Sequence, residues 1–125
     1  MAKLNSVLDT FEPDNLIAGT EVPQLVKAIT LKGAQGVVKR GTVLGIITAT
    51  GLAVAVNNTN TDGSQTANCI LVKDVDATAG NVVAEAYVSG LFNRQTLIFG
   101  GDDTAADHEA TLRQLGIFLS DNIAY

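Results

Sequence analysis

The sequence predicts a mainly β domain of short strands with one short helix near its C-terminal end and an extended N-terminal arm. Three observations carry this expectation. From Leu25 onward, short apolar segments rich in β-branched residues are separated by glycines, the texture of strands joined by turns. Within 82–89, Val82, Ala84, Ala86 and Val88 alternate with Val83, Glu85, Tyr87 and Ser89. Successive side chains of a strand point to opposite faces, so the first set makes one wholly apolar face. Finally, "DDTAADHEATLRQLG" combines a helical apolar spacing with residues suited to both helix ends,.

Residues 1–24 differ in texture from the rest of the chain and read as the arm, leaving 25–125 as the β-rich domain. The arm holds both prolines, Pro13 and Pro23, and sets Lys3 against Asp9, Glu12, Asp14 and Glu21. Proline removes a backbone donor and biases the residue before it toward extended geometry, which opposes one continuous helix. Leu4, Val7, Leu8 and Phe11 recur at helical spacing before Pro13, so a short helix there fits the pattern,. These four, with Leu16 and Ile17, form an apolar set that is costly to leave in water and that something should cover.

Strands are expected at "LVKAITL" (25–31), "GTVLGIIT" (41–48), "AVAVN" (53–57), "TANCILVKD" (66–74) and "NVVAEAYVSGLFN" (81–93). Gly33, Gly36, Gly41, Gly51, Gly63 and Gly80 fall between segments, where turns form,. In the helix, Asp103 or Thr104 can cap the start, acids occupy the first turn where the helix dipole favours them, and Gly116 suits a left-handed stop,. Ala105, His108, Leu112 and Leu115 line the stripe expected to pack on the sheet,. "IFLSDNIAY" then reads as extended.

Composition excludes several function classes. A length of 125 residues suits one domain,. Charged residues are 17% and hydrophobic residues 46%, against roughly 25% charged in typical soluble domains, so part of the surface is fitted to meet another subunit. A formal charge of −5 with eight Lys and Arg argues against nucleic acid, whose binding needs clustered cations. The single Cys69 allows no internal disulfide and no cysteine-based metal site,. The N-terminal residues show no apolar core of a secretory signal,. No apolar run approaches the roughly 18–20 residues of a membrane-spanning helix.

The candidate chemical sites are weak. Asp107, His108 and Glu109 are consecutive, and residues about 100° apart on a helix cannot converge on one ion. Helix capping beside a packed histidine explains them better. Cys69 with His108 would be the minimum of a thiol enzyme, but "ANCILV" places the thiol in an apolar strand, where cysteine acts as a small hydrophobe. "FGGDDT" (99–104) suggests an anion-binding turn, yet its two aspartates would repel a phosphate, and turn plus cap is preferred. "NNTN" (57–60) contains a sequon and reads as a polar loop. Lys27, Lys32, Lys39 and Arg40 form the one basic concentration, either solvated or facing an acidic neighbour such as the arm of another subunit. No cofactor or metal is implied.

Four stretches, "GTVLGIITATG", "TDGSQTANCILVKDVDATAG", "VSGLFNRQTLIFG" and "LRQLGIFLSD", resemble in that order the head decoration proteins of tailed phages, a family typified by decoration protein D of lambda-like phages. "DNLIAG" in the arm is also similar. The resemblance implies a β-clip-like barrel or sandwich that forms homotrimers on the three-fold and quasi-three-fold positions of an expanded capsid. There it clamps major capsid protein subunits against the pressure of packaged DNA. It implies a protein on the outer surface of the virion, present in the host cytoplasm during assembly, with no enzymatic activity. In that family the N-terminal arm is mobile in the free protein and orders against the capsid, a role that falls here on Leu4, Val7, Leu8, Phe11, Leu16 and Ile17. The alternatives are a small oligomeric binding module for a sugar or peptide, and a Cys69/His108 hydrolase.

Overall fold

The computed structural model describes residues 16–19 and 21–120. Ten short strands, a 3₁₀ turn and one α-helix build it: β1 (Ile17–Gly19), β2 (Val26–Leu31), β3 (Val37–Val38), β4 (Val43–Ile46), β5 (Ala53–Ala55), β6 (Ala67–Leu71), β7 (Val75–Asp76), β8 (Val82–Tyr87), β9 (Gly90–Asn93), α1 (Ala105–Leu115) and β10 (Ile117–Ser120), with the turn at Arg94–Thr96. The mainly β expectation holds. Strands β2, β5, β4, β6 and β8 close a barrel in that order. All its pairings are antiparallel except β2 with β5. A three-stranded sheet, β10–β9–β1, lies beside it, and β3 pairs with β7 as a small ribbon.

Two apolar clusters result from this layout. Ile29, Leu31, Leu44, Cys69, Leu71, Ala84 and Ala86 fill one, in which the alternating face foreseen on 82–88 packs. Leu16, Val43, Val56, Ala67, Ile70, Phe92, Leu112 and Ile117 fill the other, joining the barrel to α1 and the three-stranded sheet. Neighbouring residues of β4 and β6 therefore serve opposite clusters, Val43 and Leu44 among them. Strict alternation would put Ala67 with Cys69, yet the two part company. The cause is a register shift: Leu44 faces Cys69 while Gly45 faces Ala67, so Asn68 is the extra residue that reverses the side-chain phase,. Burial on both faces also explains why residues 69–71 read as an apolar run rather than an alternation,.

Gly45 sits at that shift. A Cβ there would overlap the Ser64 backbone carbonyl, and backbone cannot swing aside as a long side chain can. Gly45→Ala should destabilise the protein by about 1–3 kcal/mol, the overpacking range, read as a lower urea midpoint with an unchanged m-value.

The stretch 81–93, expected as one strand, is two. The Ser89 hydroxyl donates to the Pro23 carbonyl and accepts from the Leu25 N–H, tying the chain to the segment before β2. Gly90 then takes φ +145°, a value side chains disfavour, and β9 leaves the barrel for the second sheet. The helix matches its expected limits. Thr104 is its N-cap, with the Thr104 N–H donating to Asp107 Oδ2 at 2.8 Å, and Gly116 closes it at φ +96°. The expected stripe holds only partly: His108 and Leu112 are buried, but Leu115 is 47% exposed. The chain reverses at Gly116, and Ile117 takes the core position instead. Glu109 Oε2 accepts from Arg94 and Arg113, fixing α1 to the 3₁₀ turn.

Leu16 and Ile17, expected in the arm, lie within the folded body. Ile17 pairs with Phe92 across β1 and β9, the Leu16 carbonyl accepts from the Asn93 N–H at 2.8 Å, and Leu16 is 2% exposed. The apolar surface of Leu16 is covered by its own chain, and that of Ile17 in part. Leu4, Val7, Leu8 and Phe11 lie outside the described residues.

Candidate functional site

Cys69 and His108 belong to different settings. Cys69 lies in the barrel cluster with Leu31, Leu44 and Leu71, with no exposed surface. Burial raises its thiol from 9.0 to about 11, only partly opposed by the charge of Lys27. A thiol kept protonated is neither nucleophile nor metal ligand. Because the folded value is the higher one, the stability that this group contributes is complete below about pH 9 and is lost as pH rises through about 11,. We expect a thiol-specific reagent at pH 8 to leave Cys69 unmodified in the native protein and to label it at once in denaturant. Rapid native labelling would contradict its placement.

His108 is committed elsewhere. Its Nε2 lies 2.5 Å from Asp103 Oδ2, with both side chains almost fully covered, and its ring stacks on Phe99 at 5.7 Å. The same Oδ2 accepts from the Asn58 N–H at 2.8 Å. Asp103 thus ties the loop at 57–60 to the start of α1. Among the described residues, no group of three or more His, Cys, Asp or Glu could hold a metal ion.

Three of the basic residues make contacts within the body, two of them to Asp74. Lys27 donates to Asn68 Oδ1, and Lys39 lies 3.9 Å from Asp74. Arg40 donates from its backbone to Asp74 and from its guanidinium to the Val72 carbonyl and the Tyr87 hydroxyl, with the guanidinium over the Tyr87 ring.

What the body does offer is apolar surface in two places. Val26 and Val83, on the outer face of β2 and β8, are exposed, Val83 at 70%, as is Leu25 just before β2; register sets Val26 opposite Tyr87 and Val83 opposite Thr30, at the two ends of the strand pair. Leu25 and Val26 adjoin, while Val83 stands apart at the far end, and only contiguous exposed apolar residues mark interaction surfaces. The second place is a shallow groove of about 180 Å³ between β3, β4 and the end of β5, lined by Val37, Val38, Ala55 and Ile98 with Gln35, Lys39 and Thr42. Sugar or drug-sized ligands occupy pockets of roughly 300–1,000 Å³ with convergent polar groups, so the groove gives the small-ligand alternative no support. The sequence carried a signal for the first surface, since Val83 stands on the otherwise polar face of its strand. Val37 and Ile98 had none, because their exposure depends on how distant segments meet.

A body that exposes apolar residues while burying both its thiol and its imidazole suits a structural protein, and comparison with known proteins agrees. A family model, bacteriophage lambda head decoration protein D, matches residues 9–118. No curated protein matches. The matched stretch takes in the barrel, the helix and all of the second sheet but the end of β10, and by it the chain belongs to the bacteriophage lambda head decoration protein D family, structural proteins that decorate the phage capsid.

Proposed function

We propose that the protein is a capsid cement: a homotrimer that seats on the three-fold and quasi-three-fold positions of the expanded phage head, clamps major capsid protein subunits, and holds the shell against the pressure of packaged DNA. The family match across residues 9–118 carries this proposal. Residues 1–15 are the grip, joining the capsid by strand addition, in which main-chain hydrogen bonds supply affinity and side chains fill pockets.

The energetics favour an oligomer. Ordering an arm costs about 1–2 kcal/mol per residue, while covering Leu4, Val7, Leu8 and Phe11 returns about 1.5–3 kcal/mol for each. For residues 1–15 the ordering cost of about 15–30 kcal/mol exceeds the return of about 6–12 kcal/mol from these side chains, so the main-chain hydrogen bonds of strand addition must make up the difference and one arm binds weakly. Three arms on a trimer bind as a unit, because engagement of the first raises the effective concentration of the others. A ligand that binds only the expanded lattice also stabilises it by linkage. Expanded, DNA-filled heads should therefore release their DNA at a higher temperature once saturated with the protein, followed by dye access to DNA on heating. Saturated binding without a shift in release temperature would remove the cement role.

A further inference from the structure

We infer that the free edge of β2 over Val26–Ala28 is a second capsid contact, where an extended, acid-bearing segment of the major capsid protein adds as a strand. This rests on the cement reading and carries it from the arms to the body. The barrel closes through one residue pair: β2 meets β5 only where Leu31 faces Ala53, with the Lys32 N–H donating to the Ala53 carbonyl at 3.0 Å. Before that point β8 is the one strand paired with β2. The Leu25 carbonyl accepts from the Val88 N–H, while the Glu85 carbonyl, opposite Ala28, turns away to accept from the Val72 N–H. Antiparallel pairs alternate between bonded and unbonded. Val26 and Ala28 therefore aim both N–H and C=O away from β8, on the side where Lys32 meets Ala53. Among the described residues nothing pairs with them there, and Val26, Lys27 and Ala28 are all exposed. Such a row of free main-chain groups is a template for another strand.

Charge and size select the partner. Lys27 shares the phase of Ile29 and Leu31 but is exposed; it donates to Asn68 Oδ1 at 3.3 Å and has no acid within ion-pair reach among the described residues. A second copy of the chain would meet this edge two-fold about Lys27, setting lysine against lysine, and like charges directly opposite are destabilising. An Asp or Glu on the incoming strand is favoured at that place instead. Three residues span about 10 Å, a strip far short of the roughly 600 Å² per partner of a stable independent complex. The edge therefore engages once the arms have seated the protein and raised the local concentration of its partner. Its position agrees. The Leu25 N–H donates to Ser89 Oγ, and just beyond Ser89 the β9 residues Leu91 and Phe92 pair with Gly19 and Ile17 of β1, so the edge begins near the root of the arm.

The test compares head binding by the full-length protein and its edge variants. Ala28→Pro removes the free N–H and sets a ring in the path of an incoming strand, while the bonds to β8 stay in place. It should keep the far-UV circular dichroism of the parent and bind expanded heads about ten-fold more weakly or worse, as loss of several main-chain hydrogen bonds requires. Lys27→Glu should also weaken binding, and Lys27→Arg should restore it. In the free protein, amide exchange followed by NMR should be fast at Val26 and Ala28 and slow at Lys27 and Ile29. Slow exchange at Val26 and Ala28 would overturn the inference, because the edge would not be free. Protection there that grows with protein concentration, without heads, would overturn it in favour of a second copy. Parent-like binding by both Ala28→Pro and Lys27→Glu would overturn it alone, whereas failure of the parent itself to bind heads would remove the cement reading and this contact with it.

Discussion

A chain lacking residues 1–15 should keep its folded body and lose its hold on expanded heads, whereas a chain lacking 1–24 should lose both. The difference lies in residues 16–19. Leu16 is 2% exposed and packs in the cluster with Phe92 and Leu112, and β1 supplies an outer strand of the second sheet. Truncating one buried leucine typically costs about 2–5 kcal/mol, against a whole stability of about 5–15 kcal/mol. Removing Leu16 together with its strand therefore brings the body close to unfolding. Thermal melts of the two truncations, beside co-sedimentation with heads, separate loss of grip from loss of fold. Undiminished head binding by the chain lacking 1–15 would refute the arm mechanism.

Phe92→Ala should be the most damaging single core substitution, costing about 3–5 kcal/mol. Phe92 has no exposed surface, lies 5.2 Å from the Tyr87 ring, and comes from the central strand of the second sheet. It stands where barrel, sheet and helix meet. Val83→Ala is the control: Val83 is 70% exposed, and surface changes of this kind stay within about 0.5 kcal/mol. Urea unfolding of both variants checks the contrast. If they unfold at similar midpoints, the second cluster is not the joint of the fold.

Much of the architecture is legible in the sequence because local rules decide it. The helix is bounded by Thr104 and Gly116, whose capping chemistry acts within a few residues,. The inward face of β8 is visible as Ala84 and Ala86, since alternation is also local. What escapes is set by long-range contacts. Ser89 turns the chain through bonds to residues 23 and 25, and Asn68 reverses the phase of its strand because of its neighbour β4. Leu16 and Ile17 read as part of the arm because apolar residues beyond a proline carry no label for which surface covers them. The family, by contrast, is legible in four ordered stretches of the domain, although neither the exposed Val83 nor the Val37–Ile98 groove corresponds to a motif.

Co-sedimentation of the full-length protein with expanded shells of the major capsid protein tests the cement role most directly. Saturable binding at one chain per capsid subunit is the expected result, as trimers filling every three-fold and quasi-three-fold position require. Failure of the full-length chain to bind, or binding that never saturates, would contradict it.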